Sequence, residues 1–202
     1  DNLIGILEEQ SIISIDTETT SLNPIDADLV GISVCYSSNK AYYIPLKHKK
    51  SKCLNEKLVF KKVKKIFEDP SIKKIGQNIK FDYIILKRYG INVGPIEDTM
   101  LLSYTLDAGI NRHNLDTLSE IHLNHKTISF KDLVGSGKNQ KSFEEIDLKQ
   151  ATEYAGEDAD VTFRLFELLK KRLDEEKLNR IYEFFEKPIV KILSEIEIQG
   201  IK

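Results

Sequence analysis

The first third of the chain alternates short apolar runs with turn-forming residues, which is typical of closely spaced β-strands. Residues 11–16 predict a buried strand, because isoleucine and serine fill almost the whole run. In the second run, apolar residues recur at every other position, as in a half-buried strand: Val30, Ile32, Val34 and Tyr36. The run "KAYYIPL" then follows a Ser-Ser-Asn-Lys turn and predicts a third strand, in a hairpin with the second.

Helical periodicity replaces this alternation after the third strand. Residues 55–68 place apolar side chains three and four positions apart, with lysines on the opposite face as a solvated surface. Residues 71–78 predict a short strand. A helix is expected over residues 79–89, ended by Gly90, since glycine is common just past a helix C-terminus.

The second half of the chain is mainly helical in pattern. Short helices are expected at 98–106 and 114–122, and a long helical region from Asp147 almost to the end, with a break near Pro188. Residues 130–143, "FKDLVGSGKNQKSF", predict a loop. Strands followed by alternating helices and strands predict an α/β fold with three layers around a mixed sheet.

Composition limits the class of protein. The 202 residues are 41% hydrophobic and 31% charged, which suits one packed domain and argues against disorder. The net charge of −2 gives no global attraction to nucleic acid, so any such binding must be local or made through metal ions. The two cysteines show no metal-type spacing, the apolar runs are too short for a membrane span, and no signal peptide pattern is present. We therefore expect a cytoplasmic protein with reduced thiols, and a monomer.

Two carboxylates end the first predicted strand. Asp16 and Glu18 lie two positions apart and therefore on one face of the strand, with Thr17 facing away. Two buried carboxylates repel each other, and a bound Mg²⁺, which prefers oxygen ligands, would relieve that cost. The alternative is a polar turn after a strand.

Further carboxylates lie on two predicted helices. Asn78 is a candidate N-cap, and Asp82 lies one turn further along the same face. Tyr154 and Asp158 share one face of the long helix, where a hydrogen bond between them is the plain structural alternative. Together with Asp16 and Glu18, these acids could surround a pair of divalent ions, the arrangement needed to cleave a phosphodiester.

These motifs and their spacing resemble one known family. "DTET", "GQN" with an aspartate four residues later, and "YAGED" resemble the three exonuclease motifs of the DEDDy superfamily. The runs "MLLSYTLDAGINRHNLDTLSEIHLNHKTISF" and "GSGKNQKSF" resemble the proofreading 3′–5′ exonuclease domain of bacterial DNA polymerase I, in family A. The resemblance covers essentially the whole chain and implies a ribonuclease H-like fold, with a five-stranded mixed sheet flanked by helices.

The resemblance also implies a domain organisation. Residues 1–175 would form the exonuclease domain, and residues 176–202 a helical segment leading into a polymerase domain that is not in this chain. The implied reaction is metal-dependent hydrolysis at a single-stranded or frayed DNA 3′ end, which releases nucleoside 5′-monophosphates during replication and repair. No polymerase motif lies within these residues.

Residue roles follow from the same resemblance. Two divalent ions, Mg²⁺ or Mn²⁺, would be held by Asp16, Glu18, Asp82 and Asp158, with Asp82 acting largely through water. Tyr154 and Glu18 would orient the attacking water. Four further residues would contact the substrate, by wedging or stacking against bases or by binding phosphate: Leu22, Phe130, Asn78 and Arg112. One departure is Phe81, at a position where relatives can carry tyrosine.

Three alternatives stay open on the sequence. An RNA-trimming exonuclease of the ribonuclease D type would share the four acids and the tyrosine. A catalytically silent domain could serve as a spacer or DNA-binding module. Nucleotide binding through "GSGK" is the weakest, because the phosphate-loop pattern needs four residues between its glycines and Ser or Thr after the lysine.

Overall fold

A computed structural model describes residues 2–137 and 140–200. Its centre is one mixed sheet with the strand order β3-β2-β1-β4-β5. The first three strands pair antiparallel. β4 then pairs parallel with β1, and β5 pairs parallel with β4. The expected five-stranded mixed sheet and the hairpin are confirmed, although the short last strand was not predicted. The strands are β1 (Ile12–Thr19), β2 (Leu29–Cys35), β3 (Ala41–Pro45), β4 (Lys73–Gly76) and β5 (Ile96–Asp98).

Helices cover both faces of the sheet. Within the two described ranges, no helix has both the length and the apolar character needed to cross a membrane. The helices are α1 (Asn2–Glu8), α2 (Glu56–Phe67), α3 (Ile79–Arg88), α4 (Thr99–Asp107), α5 (Leu115–Leu123), α6 (Phe130–Val134), α7 (Leu148–Glu175), α8 (Asn179–Ile181) and α9 (Lys187–Gln199).

The structure corrects two expectations about the second half. The segment predicted as a loop begins with α6 and ends in a 3₁₀ turn at Phe143–Glu145; residues 138 and 139 of "GSGKNQ" lie outside the described residues. The long helical region breaks first after α7, where Lys177 has a φ of 60°. The expected break at Pro188 is wrong: Pro188 lies in the first turn of α9, which follows a π-helical turn, Tyr182–Glu186, without a gap.

The expectation that β2 is half-buried is wrong. All seven of its residues are buried. Ile32 and Val34 face the core that α2 and α3 complete, as the alternation suggests. The small residues that alternate with them, including Ser33 and Cys35, are buried on the other face of the sheet. They lie beneath α7, which packs directly across β2. Small side chains at these positions allow this close approach, and a pattern based on polarity alone misreads them as solvent-facing.

One buried carboxylate caps two helices. Asp98 ends β5 and accepts hydrogen bonds from the backbone N–H groups of Asn78 (3.1 Å) and Ile79 (3.0 Å), at the start of α3. It also accepts from Met100 (2.9 Å) and Leu101 (3.4 Å), at the start of α4. Asn78 occupies the N-cap position of α3 as predicted, but its side chain makes no capping bond and its backbone is left-handed. The capping role expected of Asn78 therefore belongs to Asp98.

Replacing Asp98 by alanine should destabilise the domain by about 2–4 kcal/mol, because buried N–H groups of two helices lose their acceptor. Asn55→Ala is the matched comparison: Asn55 caps only α2, through one bond to Leu58 N of 3.1 Å. Its loss should cost about 1 kcal/mol. Denaturant unfolding of both variants measures the difference, and equal losses would show that Asp98 does not serve two helices.

Candidate active site

An open cavity of about 390 Å³ lies where β1 ends. Its walls come from β1 and the turn after it, the start of α3, α6, the segment 140–143 and α7. Eight of the nine predicted site residues line it: Asp16, Glu18, Leu22, Asn78, Asp82, Phe130, Tyr154 and Asp158. Arg112 does not line it.

Three of the carboxylates form a tight group. Asp16 and Glu18 come from β1 and Asp158 from α7, and one oxygen of each lies within 4.8 Å of the others. Glu18 is buried, and its Oε1 has no hydrogen-bond partner among the described residues. An unpaired buried carboxylate oxygen beside two further carboxylates is a donor set that fits a hard divalent cation.

Asp82 lies beside this group but has a different environment. Its Oδ1 accepts hydrogen bonds from the backbone N–H of Thr17 (2.9 Å) and from the Thr17 hydroxyl (2.6 Å). The alternation of β1 points Thr17 away from its two acidic neighbours, so the strand contacts α3 through this residue. Asp82 is thereby fixed next to the acidic group without being one of its three closest members.

Burial raises the pKa values of all four acids, and for three of them neighbouring charges add to the effect. Burial raises the pKa of Asp16 to about 6, although the Thr17 N–H opposes the shift. For Glu18, burial and then the charges of Asp16, Asp158 and Asp82 raise the pKa well above its usual range. Burial followed by the charge of Asp16 does the same for the pKa values of Asp82 and Asp158. Without a cation, the folded protein therefore favours protons on these groups.

Tyr154 stands one helical turn before Asp158 on α7. Its ring lies between Phe130 and Phe143, with ring centroids 5.9 and 6.1 Å away. Burial, and then the neighbouring carboxylates led by Asp158, raise the pKa of its hydroxyl above the usual range, so this group keeps its proton and acts as a donor. A hydrogen bond from Tyr154 in turn lowers the pKa of Asp158, against the effect of burial.

Two apolar side chains project at the mouth of the cavity. Leu22 is 89% exposed and Phe130 is 41% exposed. Neither side chain is therefore part of the core. Exposed apolar and aromatic side chains of this kind can contact an unpaired base.

Comparison with known proteins identifies the family. A family described as "3′-5′ exonuclease" matches residues 1–174. The chain belongs to this 3′–5′ exonuclease family. DNA polymerase I of Rhizobium leguminosarum is 40% identical over 221 residues, and that of Borreliella burgdorferi is 41% identical over 203 residues. Each alignment covers 100% of this chain, which spans 22% of each relative's length.

Solved structures show the same fold for this exonuclease. NrnC of Brucella melitensis with bound Mg²⁺ gives a TM-score of 0.74 at 24% identity, covering 95% of this chain and 87% of that one. RNase D of Escherichia coli gives a TM-score of 0.72 at 15% identity, covering 99% of this chain and 48% of that one. The ribonuclease H-like fold expected from the sequence is confirmed.

Arg112 lies apart from the other predicted site residues of this exonuclease. It is exposed, on the loop between α4 and α5. That loop is tied to the cavity, because the side-chain amide of Gln77, a lining residue, donates to the carbonyl oxygen of His113 at 2.7 Å. A phosphate contact by Arg112 would therefore lie outside the cavity wall.

Sequence reasoning missed Phe143 in the wall of the exonuclease cavity and Tyr43, whose ring packs behind Phe143. The ring of Phe143 packs against that of Tyr154, but Phe143 follows a polar segment in which no sequence pattern predicts a site residue. Tyr43 lies across Gly31, where an added Cβ atom would clash with the Tyr43 hydroxyl. That hydroxyl bonds Nε2 of His48 at 2.8 Å. Gly31 was the available signal, since glycine inside a strand often marks a close approach.

Proposed function

We propose that the chain hydrolyses the terminal phosphodiester at a DNA 3′ end and releases a nucleoside 5′-monophosphate. It would be the proofreading domain of a DNA polymerase I. One observation carries this proposal: β1 and α7 bring three carboxylates within 4.8 Å of one another, at a cavity that also carries apolar side chains suited to a frayed base.

Two divalent ions, Mg²⁺ or Mn²⁺, complete the proposed site. Asp16, Glu18 and Asp158 would hold one, and Asp82, beside Asp16, would support the other. When bound, such ions supply Lewis acidity, which makes water a better nucleophile and stabilises charge on the leaving 3′ oxygen. The unpaired Oε1 of Glu18 and the crowding of the acids support this assignment.

The protein's own groups would position the reactants. Tyr154, as a protonated donor held between two aromatic rings, would orient the attacking water together with Glu18. Leu22 and Phe130 would hold the terminal bases by apolar and stacking contacts, which do not read sequence. Asn78 lines the cavity, its side-chain amide makes no capping bond within the described part of the chain, and it would contact phosphate.

We further propose residues 1–175 as the exonuclease domain and residues 176–202 as a connection to a polymerase domain. The relatives that support this proposal are DNA polymerases I, of which the chain spans 22%. The C-terminal helices also expose large apolar side chains, including Phe184 (70%), Phe185 (66%) and Ile192 (56%). An apolar surface of this kind suits packing against a further domain.

The substrate class is tested by matched strands. We expect 5′-labelled DNA and RNA of one sequence to be degraded at different rates, with DNA faster. A duplex with a mismatched 3′ end should be cut faster than a paired duplex, because fraying it costs less. Gel analysis of time courses gives both ratios. Faster cleavage of RNA would instead favour the RNA-trimming alternative.

A further inference from the structure

Positive charge in this chain is concentrated in one segment. Residues 47–65 contain nine lysines and a single acidic residue, Glu56, in a chain whose net charge is −2. The remaining residues are therefore strongly acidic. Such segregation creates a local positive field despite the near-neutral total.

The segment begins at the edge of the sheet that carries the active site. Pro45 at the end of β3 pairs with Gly31 of β2, and Gly31 pairs with Glu18 of β1. Two strand spacings, about 10 Å, thus separate Pro45 from Glu18. The N–H of Lys49 donates to the carbonyl of Glu144 at 2.8 Å, which fixes the loop to the 3₁₀ turn at the cavity wall. The lysines therefore start beside the cavity.

Several of these lysines have no salt-bridge partner among the described residues. Lys47, Lys49 and Lys64 each form a salt bridge. Five others are exposed and form no salt bridge among residues 2–137 and 140–200: Lys50, Lys52, Lys57, Lys61 and Lys65. A cation without a partner is available to an anion in solution.

The helical lysines form a stripe along α2. Lys57, Lys61 and Lys65 are four residues apart, so they lie on one face, roughly 6 Å from one to the next. The buried residues Val59 and Val63 lie on the opposite face. The stripe starts beside the end of the edge strand β3, because Leu54 N donates to Pro45 O at 3.0 Å just before the helix begins. It then leads away along the helix.

We propose that these five lysines, the lysine surface, bind the phosphate backbone of the substrate strand behind its 3′ end. These cations lie near the end of the sheet that carries the cavity, and three of them repeat at four-residue intervals along α2, which suits a repeatedly charged polyanion. This proposal rests on the proposed function, because it assumes that the 3′ end occupies the cavity. The alternative is that the lysines only solvate the helix.

Substrate length separates these two interpretations. A trinucleotide occupies the cavity but does not reach the lysine surface, whereas a 20-nucleotide strand does. The test variant is Lys50→Gln/Lys52→Gln/Lys57→Gln/Lys61→Gln. The control is Lys40→Gln/Lys171→Gln/Lys177→Gln/Lys191→Gln, which makes the same charge change at exposed lysines of other elements.

We expect the test variant to raise KM for the 20-nucleotide strand by at least tenfold, with kcat and the trinucleotide KM within twofold of native. The slope of log KM against log salt should fall by about 3, since each phosphate contact contributes roughly 0.7 on single strands. The control should leave all these values unchanged. Equal effects of the two variants, or an effect independent of substrate length, would overturn the proposal. It would also be overturned if these lysines were required for binding an acidic protein but not for binding DNA.

Failure of the proposed function would be visible separately. If the native domain cleaves neither substrate, fluorescence anisotropy of a labelled 20-nucleotide strand still measures binding. Binding that is weakened at least tenfold in the test variant and unchanged in the control would support the lysine surface without catalysis. Binding equal in all three proteins would overturn it.

Discussion

Asp16→Asn is expected to reduce exonuclease activity by about 10³-fold or more, while the domain stays folded. After burial, the charge of Asp16 contributes to the raised pKa values of Glu18, Asp82 and Asp158, so Asp16 neighbours all three. Removing the charge of Asp16 would weaken cation binding and shift any cation that still binds away from its productive position. Initial rates on a 5′-labelled single strand, at several Mg²⁺ concentrations, measure the loss.

Asp26→Asn provides the control for this loss. Asp26 is an exposed aspartate in the turn after β1, where it accepts a hydrogen bond from Asn23 at 2.7 Å. The same change in charge and shape there should leave activity within about twofold, because surface substitutions have small effects. An Asp16→Asn variant with near-native rates would remove Asp16 from the catalytic site.

Glu18→Gln is expected to stabilise the domain in chelator while abolishing its activity. The native carboxylate is buried among three other acids, and its unpaired oxygen has no compensating bond. The neutral amide removes that repulsion, which should raise the free energy of unfolding at pH 8 by about 1–3 kcal/mol. For a domain of this size, that is a rise in Tm of several degrees.

The pH dependence of this gain has a definite sign. The pKa of Glu18 is raised in the folded state, so the folded protein binds more protons than the unfolded chain between the unfolded and folded pKa values. Native stability in chelator therefore falls as pH rises through that window, whereas the neutral amide of the Glu18→Gln variant does not titrate. The advantage of the variant should be smaller at pH 5 than at pH 8.

Thermal unfolding of both proteins in chelator at the two pH values gives this comparison directly. Added Mg²⁺ should stabilise the native domain at pH 8 by mass action and the variant much less, because one ligand is missing. A variant less stable than native at pH 8 in chelator would show that the carboxylate group is not a source of repulsion.

The parts of the site predictable from sequence were those set by short-range periodicity. The two-residue spacing of Asp16 and Glu18 on a strand, and the four-residue spacing of Tyr154 and Asp158 on a helix, each fix a common face. That these pairs meet, with Asp82 beside them, follows from sheet order and the packing of α7. The spacing alone left open a turn and a local hydrogen bond, and the family resemblance supplied the tertiary arrangement.

Features that depend on residues far apart in the sequence could not be predicted from local sequence patterns. Asp98 caps the helix assigned to Asn78, because the end of β5 lies beside the start of α3. The burial of Ser33 depends on α7, far along the chain. The exposure of Leu22 and Phe130 could not be separated from core packing by residue type, since both are apolar.

The most direct test of the central claim is digestion of a 5′-labelled single-stranded DNA by the native domain, with Mg²⁺ or Mn²⁺ and with chelator. The account predicts a ladder that shortens one nucleotide at a time, requires metal, and is accompanied by nucleoside 5′-monophosphate. If a folded domain gives no ladder at any metal or protein concentration, the four acids do not form a working site. The domain would then have a structural or DNA-binding role instead.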